Sequence, residues 1–213
     1  MTTKYRAVIA DIPWPVATKE SPKTLQGSAL GPMPYATMTV EEIRNFDIDE
    51  FADRQCILFL WTTSGKTTCG IPILALAFEL IEKWNFTYRG MLYWQKNKST
   101  PAIFTPIRRS IEPILFASRG VQGIPPYGMF SDIFQAPRGV HSQKPDAFYR
   151  MIRMFTEEPR ITLFERFKRR GFAGWGNEYD EEGPLAPFLN ESENQRPDIV
   201  HGSPSQREPD VNR

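Results

Sequence analysis

Apolar and polar positions divide this chain into short alternating segments. Residues 5–10 (YRAVIA) are a compact apolar run that predicts a buried strand, stopping at Asp11-Ile12-Pro13-Trp14. Residues 56–61 (CILFLW), 86–94 and 160–164 (RITLF) give three further strands, with shorter ones over 113–117 and 133–135. The pattern predicts a helix over 71–84, with Pro72 in its first turn, and another over 145–155, with Pro145 placed the same way. Thr39-Val40-Glu41-Glu42 has the spacing of a capping box and opens a short helix running to Phe46. Strands alternating with helices point to an α/β sheet covered on both faces.

Two stretches break the pattern. Residues 15–37 are rich in Gly, Pro, Ser and Lys, and residues 95–109 are polar and basic; neither has a period, so both read as mobile loops of functional kind. From Gly183 onward Pro, Asn, Ser, Glu and Asp dominate and hydrophobic residues are too few to pack, which predicts a disordered tail. The expected organisation is one domain over residues 1–182 and a tail over 183–213.

Composition narrows the class. The chain has 213 residues, 40% hydrophobic and 24% charged, enough to bury one core and unlike collagen, a coiled coil or a disordered protein. Its two cysteines, Cys56 and Cys69, exclude a disulfide scaffold and read as buried thiols in a reducing compartment. The most apolar stretch, residues 71–80, is interrupted by Pro72 and Glu79, and the N-terminus lacks a signal-peptide layout, so a soluble cytoplasmic protein with no membrane contact is expected. The net charge of +1 hides an asymmetry: residues 89–177 carry 15 bases against six acids, whereas residues 178–213 carry nine acids against three bases. A basic half attracts polyanions, although unevenly placed surface charge reads equally well from the counts alone. Two histidines and two cysteines offer no metal-ligand spacing, so no metal is expected. No glycine-rich phosphate loop is present, which disfavours a nucleotide hydrolase.

The chemistry-bearing feature is Asp11-Ile12-Pro13-Trp14 at the end of the first strand, since open α/β sheets bind ligands beyond the carboxyl ends of their strands. The exocyclic amine of adenine is a poor nucleophile because its lone pair is delocalised into the ring. Two acceptors taking its two hydrogens draw it toward a tetrahedral, reactive geometry. The Asp11 carboxylate supplies one acceptor and the Ile12 carbonyl the other. Pro13 stiffens the turn, and Trp14, read as an exposed aromatic, stacks on the base. Taken alone, these four residues are better described as a plain β-turn with a packed Trp.

The rest of the chain resembles a known family. Eight stretches in order are similar to the adenine-N6 methyltransferases typified by the catalytic subunit of the messenger-RNA adenosine methyltransferase and its bacterial and phage relatives. They start from Ala10-Asp11-Ile12-Pro13-Trp14 and Tyr35-Ala36-Thr37-Met38-Thr39 with Glu42-Ile43. Leu58-Phe59-Leu60-Trp61-Thr62, Trp94-Gln95-Lys96, Glu112-Pro113 and Ala136-Pro137-Arg138 follow. His141-Ser142-Gln143-Lys144-Pro145-Asp146 and Leu163-Phe164-Glu165-Arg166, closed by Gly174-Trp175-Gly176-Asn177-Glu178, complete the set. The resemblance implies a permuted Rossmann-like fold, with the catalytic turn first and the cofactor segment last. It implies methyl transfer from S-adenosylmethionine to adenine in nucleic acid. Lys144 would meet the cofactor's carboxylate. Arg166, Asn177 and Glu178 would hold its ribose, and Asp11 would stand where cofactor and adenine meet. Glu112, with Trp14, falls on the substrate side.

The family's turn has two prolines, and here the first is Ile12. No chemical group is lost, only stiffness, and Ile12 is still followed by Pro13. The alternative is a catalytically silent nucleic-acid-binding subunit. A base inside a duplex cannot reach such a turn, so the target is expected to be single-stranded or flipped. Arg108 and Arg109 are the expected phosphate contacts. The compact length resembles the bacterial and phage members, which favours DNA over RNA. With no separate target-recognition domain visible, a homodimer or partner subunit is expected to supply specificity.

Overall fold

The computed structural model describes residues 3–17, 36–101, 106–120, 130–139, 143–165 and 168–176, with backbone only for 98–101. In chain order the elements are β1 (Tyr5–Ala10), α1 (Val40–Asn45), a 3-10 turn (Ile48–Glu50), β2 (Ala52–Trp61), α2 (Ile73–Lys83), β3 (Thr87–Pro101), β4 (Arg108–Arg119), β5 (Ile133–Ala136), α3 (Asp146–Phe155), β6 (Arg160–Leu163) and β7 (Ala173–Trp175). The strands form one seven-stranded sheet in the order β5-β3-β4-β2-β1-β6-β7. β4 is antiparallel to both its neighbours, and every other pairing is parallel. This is a Rossmann-like α/β sheet. β6 lies directly beside β1, with β7 outside it at the edge, so the end of the chain packs next to its beginning, as a permuted order requires.

Side chains alternate across the sheet and build two apolar layers. Val8, Ala10, Leu58 and Leu60 face Ile43 of α1 and Leu76 and Leu80 of α2. Ile9, Phe59, Trp61, Trp94 and Ile114 face Phe148 and Ile152 of α3. β1 and β2 are covered on both sides, which is why their sequences read as continuous apolar runs rather than as alternation.

The capping box forms as expected. The Glu42 amide donates to Thr39 Oγ1 at 3.1 Å, and the Thr39 amide donates to the Glu42 carboxylate at 2.7 Å. Three expectations are corrected. Pro72 and Pro145 are N-cap residues of α2 and α3, not first-turn residues, because their extended ψ values of 126° and 139° hold them outside the helix. Residues 95–109 are not a loop: β3 continues to Pro101 and β4 starts at Arg108, so the basic stretch is largely a projecting hairpin, with only 102–105 outside the described residues. Cys56 is buried, and burial pushes its thiol up to about 12, whereas Cys69 is exposed. The tail over 183–213 and most of the 15–37 segment lie outside the described residues. Among the described residues no helix is long and apolar enough to cross a membrane.

Candidate active site

Sheet register gathers distant residues at one edge. Ala10 pairs with Leu60 on one side and Leu163 on the other, so Asp11 leaves the sheet next to Trp61 and the 164–165 turn. Because β4 runs the opposite way, its early residues reach the same edge: Ile114 pairs with Trp61, and Glu112 pairs with Trp94 of β3. Lys144 enters from the segment before α3, where Arg169 Nη2 donates to its carbonyl at 3.1 Å. The result is a polar nest beyond the carboxyl ends of parallel strands, where open α/β sheets bind ligands.

The nest is a ladder of alternating charge. Lys144 Nζ lies 3.0 Å from Asp11 Oδ2 and 3.6 Å from Glu112 Oε2. The other Glu112 oxygen is 2.5 Å from Lys96 Nζ. Both ammonium groups are nearly enclosed, their side chains 10% and 8% exposed, and each stands on an indole: Lys144 over Trp61 at 4.9 Å, Lys96 over Trp94 at 5.3 Å. A second network adjoins it. Tyr149 Oη donates to Glu165 Oε2 at 2.5 Å, and Arg169 contacts both Glu165 and Asp146 while stacking on the Tyr149 ring at 4.3 Å.

Burial and pairing set the charges. Desolvation raises the Asp11 carboxyl above its usual range, and the Lys144 ammonium works against that rise. Burial raises Glu112 too, but Lys144 and Lys96 outweigh it and hold its carboxyl below the usual glutamate value. Burial alone would lower Lys144, yet Asp11 and Glu112 reverse this and hold it above the ordinary lysine value. Burial, then Glu165, pushes the Tyr149 phenol well up, so it remains a donor. Lys144 is therefore a fixed cation shared between two carboxylates, and the Asp11 side chain remains about a third exposed.

The turn itself is gripped from the other side. The Trp14 amide donates to the Ile12 carbonyl at 2.8 Å, and the Met38 amide to the Pro13 carbonyl at 3.0 Å. Val16 bridges Thr67, and the Ala17 amide donates to the Lys66 carbonyl at 2.9 Å. Ile12 and Trp14 are both buried in the α1/α2 layer, and Trp14 Nε1 donates to the Trp61 carbonyl at 3.1 Å. The expectation of an exposed aromatic is thereby corrected: Trp14 is 6% exposed, because the tight turn folds its ring back into the core. The Ile12 carbonyl accepts one hydrogen bond and retains a second lone pair.

The structure brings Asp11, Ile12, Pro13, Trp14, Lys144 and Glu112 together. Arg108 and Arg109 sit farther out on β4, on opposite faces. Arg108 is exposed, while Arg109 packs over Gly65, where an added Cβ would meet its Nη1 at 3.4 Å. Arg166, Asn177, Glu178 and His141 lie outside the described residues. The residues preceding two of them lie close: an added Cβ at Gly176 would come within 3.1 Å of Phe164 Cα and 3.2 Å of the Glu165 carbonyl, so a side chain there would push the 164–165 backbone aside by a few tenths of an ångström. Lys96, Tyr149, Glu165 and Arg169 are the site residues that sequence reasoning leaves without a role. Lys96 and Glu165 stand inside stretches that carry the family resemblance, which was the available signal.

The site fits a polar ligand with an anionic group. The Lys144 ammonium, paired with Asp11 and Glu112, is the cation such a group would meet, and the buried Trp61 Nε1 and Thr62 Oγ1 have no hydrogen-bond partner among the described residues. Such orphaned groups are rare in folded proteins and mark places where a ligand or water completes the bonding.

The family model MT-A70 matches residues 5–178 of the chain. This chain belongs to the MT-A70 family. A relative, the type II methyltransferase M.MunI of Mycoplasma sp., is 30% identical over 191 residues, covering 82% of this chain and 76% of its own. This MT-A70 protein is accordingly a methyltransferase, and the resemblance carried by its eight sequence stretches is borne out.

Proposed function

We propose that this chain transfers a methyl group from S-adenosylmethionine to the N6 amine of adenine in DNA. The observation that carries the reading is the tip of β1, where Lys144 Nζ lies 3.0 Å from the Asp11 carboxylate and the next residue, Ile12, is fixed by burial in the core. Bound S-adenosylmethionine supplies a methyl group on a positively charged sulfur, an electrophile that needs no further activation. The protein's task is then orientation and electrostatics. Lys144, held charged by its carboxylate neighbours, receives the ligand's carboxylate. Arg166, Asn177 and Glu178 hold the ribose.

On the substrate side, Asp11 accepts one hydrogen of the adenine amine and the free lone pair of the Ile12 carbonyl accepts the other. That pairing turns the nitrogen lone pair out of the ring plane. Trp14 serves by anchoring the turn rather than by stacking, since its ring is in the core. Glu112 contacts the target base and, through Lys144, holds the ladder that fixes Asp11. Ile12 keeps the acceptor in place by burial, which substitutes for the stiffness of the family's proline. The type II class of M.MunI supports DNA as the substrate. Arg108 and Arg109 receive phosphates, and the target base is unpaired or flipped.

The test incubates the protein with methyl-labelled S-adenosylmethionine and DNA or RNA, beside Asp11→Ala. Label in adenine from the wild type alone, with DNA preferred, is the expected result. No label on either nucleic acid, together with no cofactor binding by calorimetry, would establish the silent binding subunit instead.

A further inference from the structure

The outer three strands of the sheet carry an uncovered face. Register places residues in cross-strand rows: Ile111, Gln95 and Gln135 form one, and Pro113, Tyr93 and Ile133 the next. Their neighbours Glu112, Trp94 and Phe134 point to the opposite face, where Phe134 stacks on Phe148 of α3 at 6.0 Å. No described element covers the first set. The apolar layer under α1 and α2 meets β3 at Met91 and β4 at Leu115 and Ala117, short of these rows. Ile111 and Ile133 are accordingly 44% and 45% exposed.

We infer that this face, built from Tyr93, Gln95, Ile111, Ile133 and Gln135 with Arg109 at its rim, is the surface on which the nucleotides flanking the target adenine lie. The inference rests on the DNA reading above. Three features select a nucleic-acid strand. The apolar side chains and the Tyr93 ring offer a platform for bases, which stack on such surfaces regardless of sequence. Arg109 lies on the same face, since 109, 111 and 113 alternate together along β4, and neither it nor Arg108 has an ion pair among the described residues. The Arg109 guanidinium beside the apolar platform complements a phosphate backbone, while Arg108 lies on the opposite face of the same strand. The third feature is an amide pair. Gln135 Nε2 donates to Gln95 Oε1 at 3.2 Å, a pairing that uses neither the Gln95 amino group nor the Gln135 side-chain carbonyl. A fixed donor beside a fixed acceptor is the pattern by which glutamine reads adenine edges.

Position agrees. β3 is three strands from β1, roughly 14 Å at ordinary strand spacing, a span of about two nucleotides. Asp11 looks to the α3 side of the sheet edge and these rows to the other side, so a strand delivering one adenine to Asp11 would pass over that edge near the Arg109–Gly65 contact and lay its neighbours on these rows.

Fluorescence anisotropy with a short labelled single-stranded DNA of mixed sequence tests this without requiring turnover. The double variant Ile111→Asp, Ile133→Asp is expected to bind about tenfold or more weakly, with unchanged S-adenosylmethionine binding by calorimetry and an unchanged melting curve. The double variant Gln95→Ala, Gln135→Ala replaces only exposed amides and keeps the assay informative if the first unfolds. It is expected to lose about tenfold in preference between strands that differ at the base next to adenine. Wild-type affinity and base preference in these variants, or no DNA binding by the wild type, overturns the inference. Methyl transfer with undisturbed binding in both variants sinks the platform alone. Binding through the platform with no label in adenine upholds it and sinks the proposed reaction.

Discussion

Asp11 and Ile12 are neighbours in sequence, yet they face opposite sides of one sheet edge. On the α3 side, Asp11 joins Lys144, Glu112 and Lys96 in a ladder of enclosed charges. On the α1/α2 side, Ile12 and Trp14 sink into hydrocarbon, and the turn is sewn to residues 38 and 66–68 by backbone hydrogen bonds. The two halves of the proposed amine clamp are therefore positioned by different forces: the carboxylate by ion pairing, the carbonyl by packing. A single rigid turn needs both, because charge alone leaves the backbone free to slide and packing alone leaves the carboxylate without an orientation. Damage to the two sides should consequently look different, one altering chemistry and pH response, the other stability.

The largest effect is expected on the charged side. Asp11→Asn preserves shape but replaces an anionic acceptor by an amide, and methyl transfer should fall by about 10²–10⁴-fold while the fold is retained. Single-turnover labelling and thermal melting measured together check it; substantial residual transfer would mean the carboxylate does not engage the amine. On the apolar side the mirror experiment is Trp14→Ala. It empties a buried site and strands the Trp61 carbonyl, for a loss of about 3–5 kcal/mol in urea unfolding. A loss under about 1 kcal/mol would show that the turn is not held by the core.

Sequence reasoning resolves the apolar side of this comparison better than the charged one. The runs around Val8 and Leu58 and the Thr39–Glu42 box are local signals, and their strands and helix stand where they were expected. Strand ends were misplaced where the sheet outgrows its core. Residues 95–101 and 108–112 project beyond the helices, lose the need for hydrophobic residues and so look like loop. β7 is only three residues long and exists through its pairing with β6, which no local pattern reveals. The charged ladder is less legible still. Lys96 meets Glu112 only because β3 and β4 are in the register that sets Trp94 opposite Glu112, and Tyr149 meets Glu165 only across α3 and the turn after β6. Trp14 misled for the converse reason: a tryptophan beside a proline at a strand end reads as exposed until the turn's direction is known.

The middle of the ladder allows a finer test. Glu112 is held below its ordinary value of 4.5 by Lys144 and Lys96 acting against burial. A lowered carboxyl contributes stability that is fully present above its unfolded value and is lost as pH falls through its folded value. Lys96→Met removes one of the two cations, so the Glu112 value rises toward its unfolded value and Glu112's share of the acid-induced loss of stability shrinks, flattening the acid limb. At neutral pH the cost is about 1–3 kcal/mol for an enclosed charge-assisted contact. Lys96→Arg should restore the wild-type profile. Urea unfolding across the acid range reads both, and an unmoved acid limb would mean Lys96 serves packing alone.

The smallest expected effect lies at the seam between the two sides. The Met38 amide ties to the Pro13 carbonyl, and Thr39, next in the chain, caps α1. Thr39→Ala removes the acceptor for the Glu42 amide while leaving Glu42 to bond the backbone at 39, so about 1 kcal/mol of stability should be lost. If the seam transmits that loosening to the turn, transfer will decline a few-fold with cofactor affinity intact, because only the carbonyl half of the clamp is reached from this side. If transfer is unchanged while stability falls, the turn is held through residues 15–17 by the 66–68 segment rather than through α1, and the apolar half of the comparison narrows to Ile12, Trp14 and Val16.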